Sequence, residues 1–163
     1  MAFRIIEPRI GMQPIATTET TQKHPLGTVV KANDPTYGEG AFIYLSGVAS
    51  TVVGSWVTIH EDGFTTTLLA ANDIGQVGVA MSANVASQYG WYQISGKAVG
   101  KVAADFADNG LVYATATAGT VDDAVVAGDR VKKAIGASAI GTPSTGLAEM
   151  EIQYPFMDDA TAA

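Results

Sequence analysis

The chain has 163 residues, of which 15% are charged and 47% apolar, with a net charge of −7. That length suits one domain, and the charged fraction lies well below the roughly 25% of an ordinary soluble protein, which excludes a disordered chain and a charge-laced helical bundle. With no Cys and two His, a disulfide framework, a thiolate zinc site and a Cys nucleophile are excluded, and the negative charge opposes any grip on nucleic-acid phosphates.

Residues 1–33 read as an extended N-terminal arm. Pro8, Pro14 and Pro25 break helices, and the tract Thr17-Thr18-Glu19-Thr20-Thr21 is extended and polar. Phe3, Ile5, Ile6, Ile10, Met12 and Ile15 nevertheless make this segment more apolar than a solvated tail. The expectation is an arm that orders by burying these residues against something else, such as a neighbouring subunit. The segment also carries four basic and two acidic residues, whereas residues 105–163 carry three basic and nine acidic.

From Leu26 onward the pattern is β. Candidate strands are Leu26–Ala32 and Ala41–Ser46, then Trp56–His60 and Phe64–Leu69 around Glu61-Asp62-Gly63. Asp-Gly between two β-rich runs is a strong hairpin signal, because glycine takes the positive φ of the turn. Gln76–Met81 and Gly90–Ser95 follow, and Asp108-Asn109-Gly110 predicts a second hairpin joining Val99–Phe106 to Leu111–Thr117. Val131–Ala137 precedes Ala148–Tyr154, whose alternation assigns Ala148, Met150, Ile152 and Tyr154 to one face and Glu149, Glu151 and Gln153 to the other. Two short helices are expected, over Ala83–Ser87 and Asp122–Ala127. The resulting fold class is all-β: a single sandwich or distorted barrel of about ten short strands, with the arm over 1–33, a β domain over 34–157 and a C-terminal tail over 158–163.

Residues 40–60 and 74–96 are free of formal charge and long enough to span a bilayer. Their internal Gly, Ser, Thr, Asn and Gln suit strands and turns rather than a lipid-facing helix, and the N-terminus has no signal-like apolar core. The reading is a soluble protein with no membrane partner, not secreted by the usual route.

No constellation for catalysis emerges. His60-Glu61-Asp62 falls on a predicted turn with its side chains in solvent, and His24 lies in a Lys-His-Pro segment with no acidic residue nearer than Glu19. The run Gly90-Trp91-Tyr92-Gln93-Ile94-Ser95-Gly96-Lys97-Ala98 has one residue too many for a phosphate-binding loop and lacks the hydroxyl that reaches magnesium. Gly38-Glu39-Gly40 is followed by Ile43 where a dinucleotide fingerprint needs glycine. No cofactor or metal is expected, and the chain reads as a non-enzyme.

Several stretches carry a family likeness. They are Lys23-His24-Pro25-Leu26-Gly27-Thr28, Phe42-Ile43-Tyr44-Leu45-Ser46-Gly47-Val48-Ala49, Gly90-Trp91-Tyr92-Gln93-Ile94-Ser95-Gly96 and Tyr113-Ala114-Thr115-Ala116-Thr117-Ala118-Gly119. Over roughly residues 23–119 the chain resembles the decoration, or cement, proteins of tailed-bacteriophage heads, particularly those of cyanophage-like podoviruses. The resemblance implies a small β protein, often a homotrimer, on the outer face of the virion capsid. There it would bridge major capsid subunits at local threefold positions, with no catalytic residues. Phe3, Ile5, Ile6, Ile10 and Met12 at one end, and Tyr154, Phe156 and Met157 at the other, are the expected subunit or capsid contacts. A tail or host-recognition module is the alternative, using Trp56, Trp91 and Tyr92 on a sugar or receptor. A trimeric β enzyme is the third reading.

Overall fold

The computed structural model describes residues 3–7 and 11–159. Its strands are β1 (Arg4–Ile5), β2 (Thr18–Glu19), β3 (Val29–Asp34), β4 (Gly38–Ser46), β5 (Trp56–His60), β6 (Thr65–Leu68), β7 (Gly75–Ala80), β8 (Tyr89–Lys101), β9 (Leu111–Ala114), β10 (Val121–Asp122), β11 (Arg130–Gly136) and β12 (Leu147–Met157). The molecule is all-β, as the strand and turn pattern of the sequence predicts. All the strand pairs are antiparallel, in one large sheet running β1-β3-β4-β8-β7-β12-β11-β9-β10. The sheet does not close into a barrel. It folds over itself in a manner consistent with a β-sandwich.

The long strand β8 organises the fold. Tyr89–Ser95 pairs with β4, while Ser95–Lys101 pairs with β12. The exchange of partners occurs around Gly96, at φ +100°. A Cβ at Gly96 would lie 2.5 Å from the Glu39 carbonyl oxygen, so only glycine fits this corner. Where β4 and β8 run together both faces are buried. Phe42, Tyr44 and Trp91 point to one side, and Ile43, Leu45 and Tyr92 to the other. The second face is closed by β5, β6 and β7 through Val57, Ile59 and Ala80. A third cluster, around Trp56, Val79, Phe106, Met150 and Ile152, fills the C-terminal half.

The hairpin over Glu61-Asp62-Gly63 forms, with His60 opposite Thr65 and Gly63 at φ +91°. The hairpin predicted around Asp108-Asn109-Gly110 does not. Asn109 takes the left-handed conformation, but β8 ends at Lys101 and β9 pairs with β10 and β11 instead. The Ala107 amide donates to Asp123 Oδ2, which ties the turn to the segment after β10.

Both expected helices are absent from the described residues. Over Ala83–Ser87 the Asn84 side chain turns inward, donating to the Tyr92 hydroxyl at 2.9 Å and accepting from Thr18 Oγ1. Asp122 belongs to β10, and residues 123–127 form bends and a turn.

The alternation of β12 holds from Ala148 to Ile152 and then inverts. Ala148, Met150 and Ile152 are buried, Tyr154 is exposed, and Pro155 and Met157 are buried in the opposite phase. A bulge causes the inversion: the register with β11 shifts between Lys132 and Ala134. Lys133 (φ 60°) and Tyr154 (φ 52°) both adopt left-handed backbone there, at about 1–2 kcal/mol each. Past the bulge β12 exchanges β8 for β7.

Candidate functional surfaces

The N-terminal segment lies on its own chain. Its backbone joins the sheet through β1 on β3 and β2 on β8, and the boundary drawn at 33/34 falls inside β3. Phe3 is buried, edge-on to Phe42 with ring centroids 4.9 Å apart, and Ile15 is buried beside Trp91 and Tyr44 in the same cluster. Ile5 and Met12 pack half-buried against that cluster, whereas Ile6 stays exposed. These apolar residues cover the face of β4 and β8 that β5–β7 leave open, which is a physical reason for their presence that needs no second chain. Ile10 lies outside the described residues.

Gln13 fastens this cover, with each of its polar groups engaged. Its backbone N–H donates to His24 Nε2 at 3.0 Å, and its carbonyl accepts from Trp91 Nε1 at 2.9 Å. Its amide Nε2 donates to the Thr17 carbonyl at 2.9 Å and the Tyr89 carbonyl at 3.3 Å, while Oε1 accepts from the Tyr44 hydroxyl at 3.0 Å. His24 stands edge-on to Tyr44 and tilted against Trp91, with ring centroids 5.0 and 5.7 Å away. Since Nε2 accepts, the imidazole is neutral, and burial holds its pKa below the ordinary histidine value. Burial likewise pushes the Tyr44 phenol up. Sequence reasoning missed Gln13, although a lone amide between Met12 and Pro14-Ile15 in an apolar stretch was the available signal.

At the other end, the three expected contact residues divide. Tyr154 is exposed, Phe156 is half-buried beneath the Lys133 ammonium at 5.3 Å, and Met157 is buried in the C-terminal core. Trp56, Trp91 and Tyr92, considered as receptor-binding aromatics, are all fully buried. They therefore offer no surface for a sugar.

Besides Ile6 and Tyr154, further exposed apolar residues lie elsewhere. Val125 is 78% exposed and Val126 is also exposed, on the turn between β10 and β11; Val52 and Val53 project from the turn before β5, and Ile74 precedes β7. His60 Nε2 lies 3.0 Å from Thr67 Oγ1, and Glu61 and Asp62 are exposed at the hairpin turn, so the densest ionisable run forms no buried constellation. Among the described residues, no three of His, Asp and Glu converge as a metal site, and no helix is long and apolar enough to cross a membrane. Comparison with family models, curated proteins and solved structures finds no match to the chain.

Proposed function

We propose that this chain is a structural decoration protein of a tailed-phage head, attached as a homotrimer to the virion exterior and bridging major capsid subunits. The observation that carries the reading is the set of β-branched side chains left uncovered at turns, Val52, Val53, Ile74, Val125 and Val126. Turns need no valine to form, and burying one Val or Ile against a partner contributes about 1.5–3 kcal/mol. Support also comes from the family likeness of residues 23–119 and from the two-faced burial of β4 and β8, which makes a stiff body. The mechanism is adhesive: modest apolar contacts act together when one particle engages several lattice subunits.

The test uses the full chain with purified phage heads, reading cosedimentation and mass by light scattering. Val125→Asp with Val126→Asp should reduce head binding by more than about tenfold, given two lost apolar contacts, with the unfolding temperature unchanged. Deleting residues 1–15 is a poorer probe, because it removes Phe3 and Ile15 from the chain's own core. Undiminished binding by the double variant, or no binding by the parent, removes the reading.

A further inference from the structure

The bulge between β11 and β12 opens a cleft of about 590 Å³ beside the corner of β8, lined by Ser95, Gly96, Lys133, Glu151, Gln153 and Tyr154, among others. That volume is within the range of small-molecule sites. A smaller recess shares Lys133, Glu151 and Gln153 with it and reaches Arg130 and Ile135.

Two features set this cleft apart from an incidental fold in the sheet. The first is backbone strain. Among the described residues, Lys133 and Tyr154 are the two non-glycine residues inside strands with left-handed backbone. The chain places glycine at many other left-handed positions, including Gly96 in the same cleft. A bulge that served only to turn the strand would be satisfied by glycine at either place. Here it carries two long side chains, and it turns Tyr154 out of the inward phase of β12 to stand 50% exposed. Strain of this kind gathers where the presented side chain has a use.

The second feature is side-chain availability. The side chains of Lys133, Glu151 and Gln153 make no hydrogen bond or ion pair with the rest of the described chain, although Lys133 rests over the Phe156 ring. Lys97, directly across the ladder from Glu151, is already held by Glu149 at 2.6 Å. The open groups thus comprise one cation, one anion, one amide and one exposed phenol ring. Charges of both signs in one cleft cancel at distance, so they do not favour a polyanion. They do supply donors and acceptors side by side, next to an aromatic face with a polar tip. A sugar ring matches that set, since its hydroxyls both donate and accept and its C–H face stacks on an aromatic ring.

We propose that this cleft binds a neutral saccharide, with Tyr154 as the stacking platform and Lys133, Glu151 and Gln153 as hydroxyl partners. The site is independent of head attachment through the valine turns, and each can fail without the other.

The experiment is saturation-transfer NMR of the full chain with maltotriose, cellotriose and diacetylchitobiose, and with heparin and sialyllactose as charged comparators. Transfer from the protein to at least one neutral oligosaccharide is expected, unaffected by raised salt. Tyr154→Gly keeps the backbone that glycine prefers, so it should unfold no earlier than the parent while binding roughly tenfold more weakly. Gln153→Ala, at an exposed position of β12, removes one hydroxyl partner and should weaken binding while Tyr154 keeps its ring. The proposal is overturned if no neutral oligosaccharide gives transfer, if only the charged ones do, or if Tyr154→Gly binds as the parent does.

Discussion

Two regions of this molecule solve the same burial problem by different means. The C-terminal half packs strand against strand, with Trp56, Phe106, Met150, Ile152 and their aliphatic neighbours interlocked. Gly100 is part of that fit, because a Cβ there would lie 2.5 Å from Trp56 Nε1. The N-terminal cover instead lays mostly irregular chain over an aromatic face. Among the described residues its backbone joins the sheet through the two-residue strands β1 and β2 and one more bond, from the Ile6 amide to the Lys31 carbonyl. A single amide residue, Gln13, does what a ladder does elsewhere, tying the segment to Tyr44, Tyr89 and Trp91. One region is held by interlocked side chains, whereas the other adds to its buried Phe3 and Ile15 a set of polar bonds centred on Gln13. The second kind is expected to open locally, below the free energy of global unfolding.

The strongest challenge to this contrast is Trp56→Ala. It removes the largest side chain of the C-terminal cluster and should cost about 3–5 kcal/mol, lowering the stability of the whole chain in one cooperative transition. Denaturant unfolding followed by Trp91 fluorescence and by far-UV circular dichroism reads this. If the two signals separate, the halves are less coupled than the shared strand β8 implies.

Gln13→Ala should have a smaller effect, about 1–3 kcal/mol, by orphaning buried polar groups around it. It should also act in a different place. Hydrogen exchange at residues 11–24 is expected to quicken strongly, while amides of β11 and β12 keep the protection of the parent. Uniform loss of protection across both regions would mean that the cover and the core open as one unit.

How far this contrast could be read from sequence depends on how local each determinant is. The β5–β6 hairpin was legible because Asp62-Gly63 fixes its turn and the flanking residues are β-branched or aromatic. The first half of β12 was legible from a period of two. The pairing of β9 was not, because its partners are set by distant strands rather than by the Asn109 turn that precedes it. The apolar residues of the N-terminal segment were visible, yet their partners, Phe42, Tyr44 and Trp91, are far along the chain. The segment therefore read as an arm in search of another subunit. The outward turn of Tyr154 opposes the alternation that placed it inside. Pro155 was the one local sign, since proline within a strand marks an edge or a bulge. The cleft depends on that inversion, on Gly96 and on Lys133 from three different strands, so no single stretch of sequence displays it.

The smallest expected effect concerns pH, and it separates the two regions most sharply. His24 accepts the Gln13 amide through Nε2 and packs on Tyr44 and Trp91, so folding favours its neutral form. Its folded pKa lies below the unfolded value, through desolvation. Between those two values the unfolded chain binds more protons than the folded one, and stability rises with pH there. The contribution is thus complete above the ordinary histidine pKa of about 6.5 and declines as the pH falls below it. Protonation turns the acceptor into a donor facing a donor, so the loss should be confined to the cover. Exchange at residues 11–24 should quicken from pH 7 to 5 relative to β11 and β12, after correction for intrinsic rates. A His24→Asn variant, which cannot titrate there, should show a flat ratio. An equal change with pH in the parent and in His24→Asn would assign the effect to other groups.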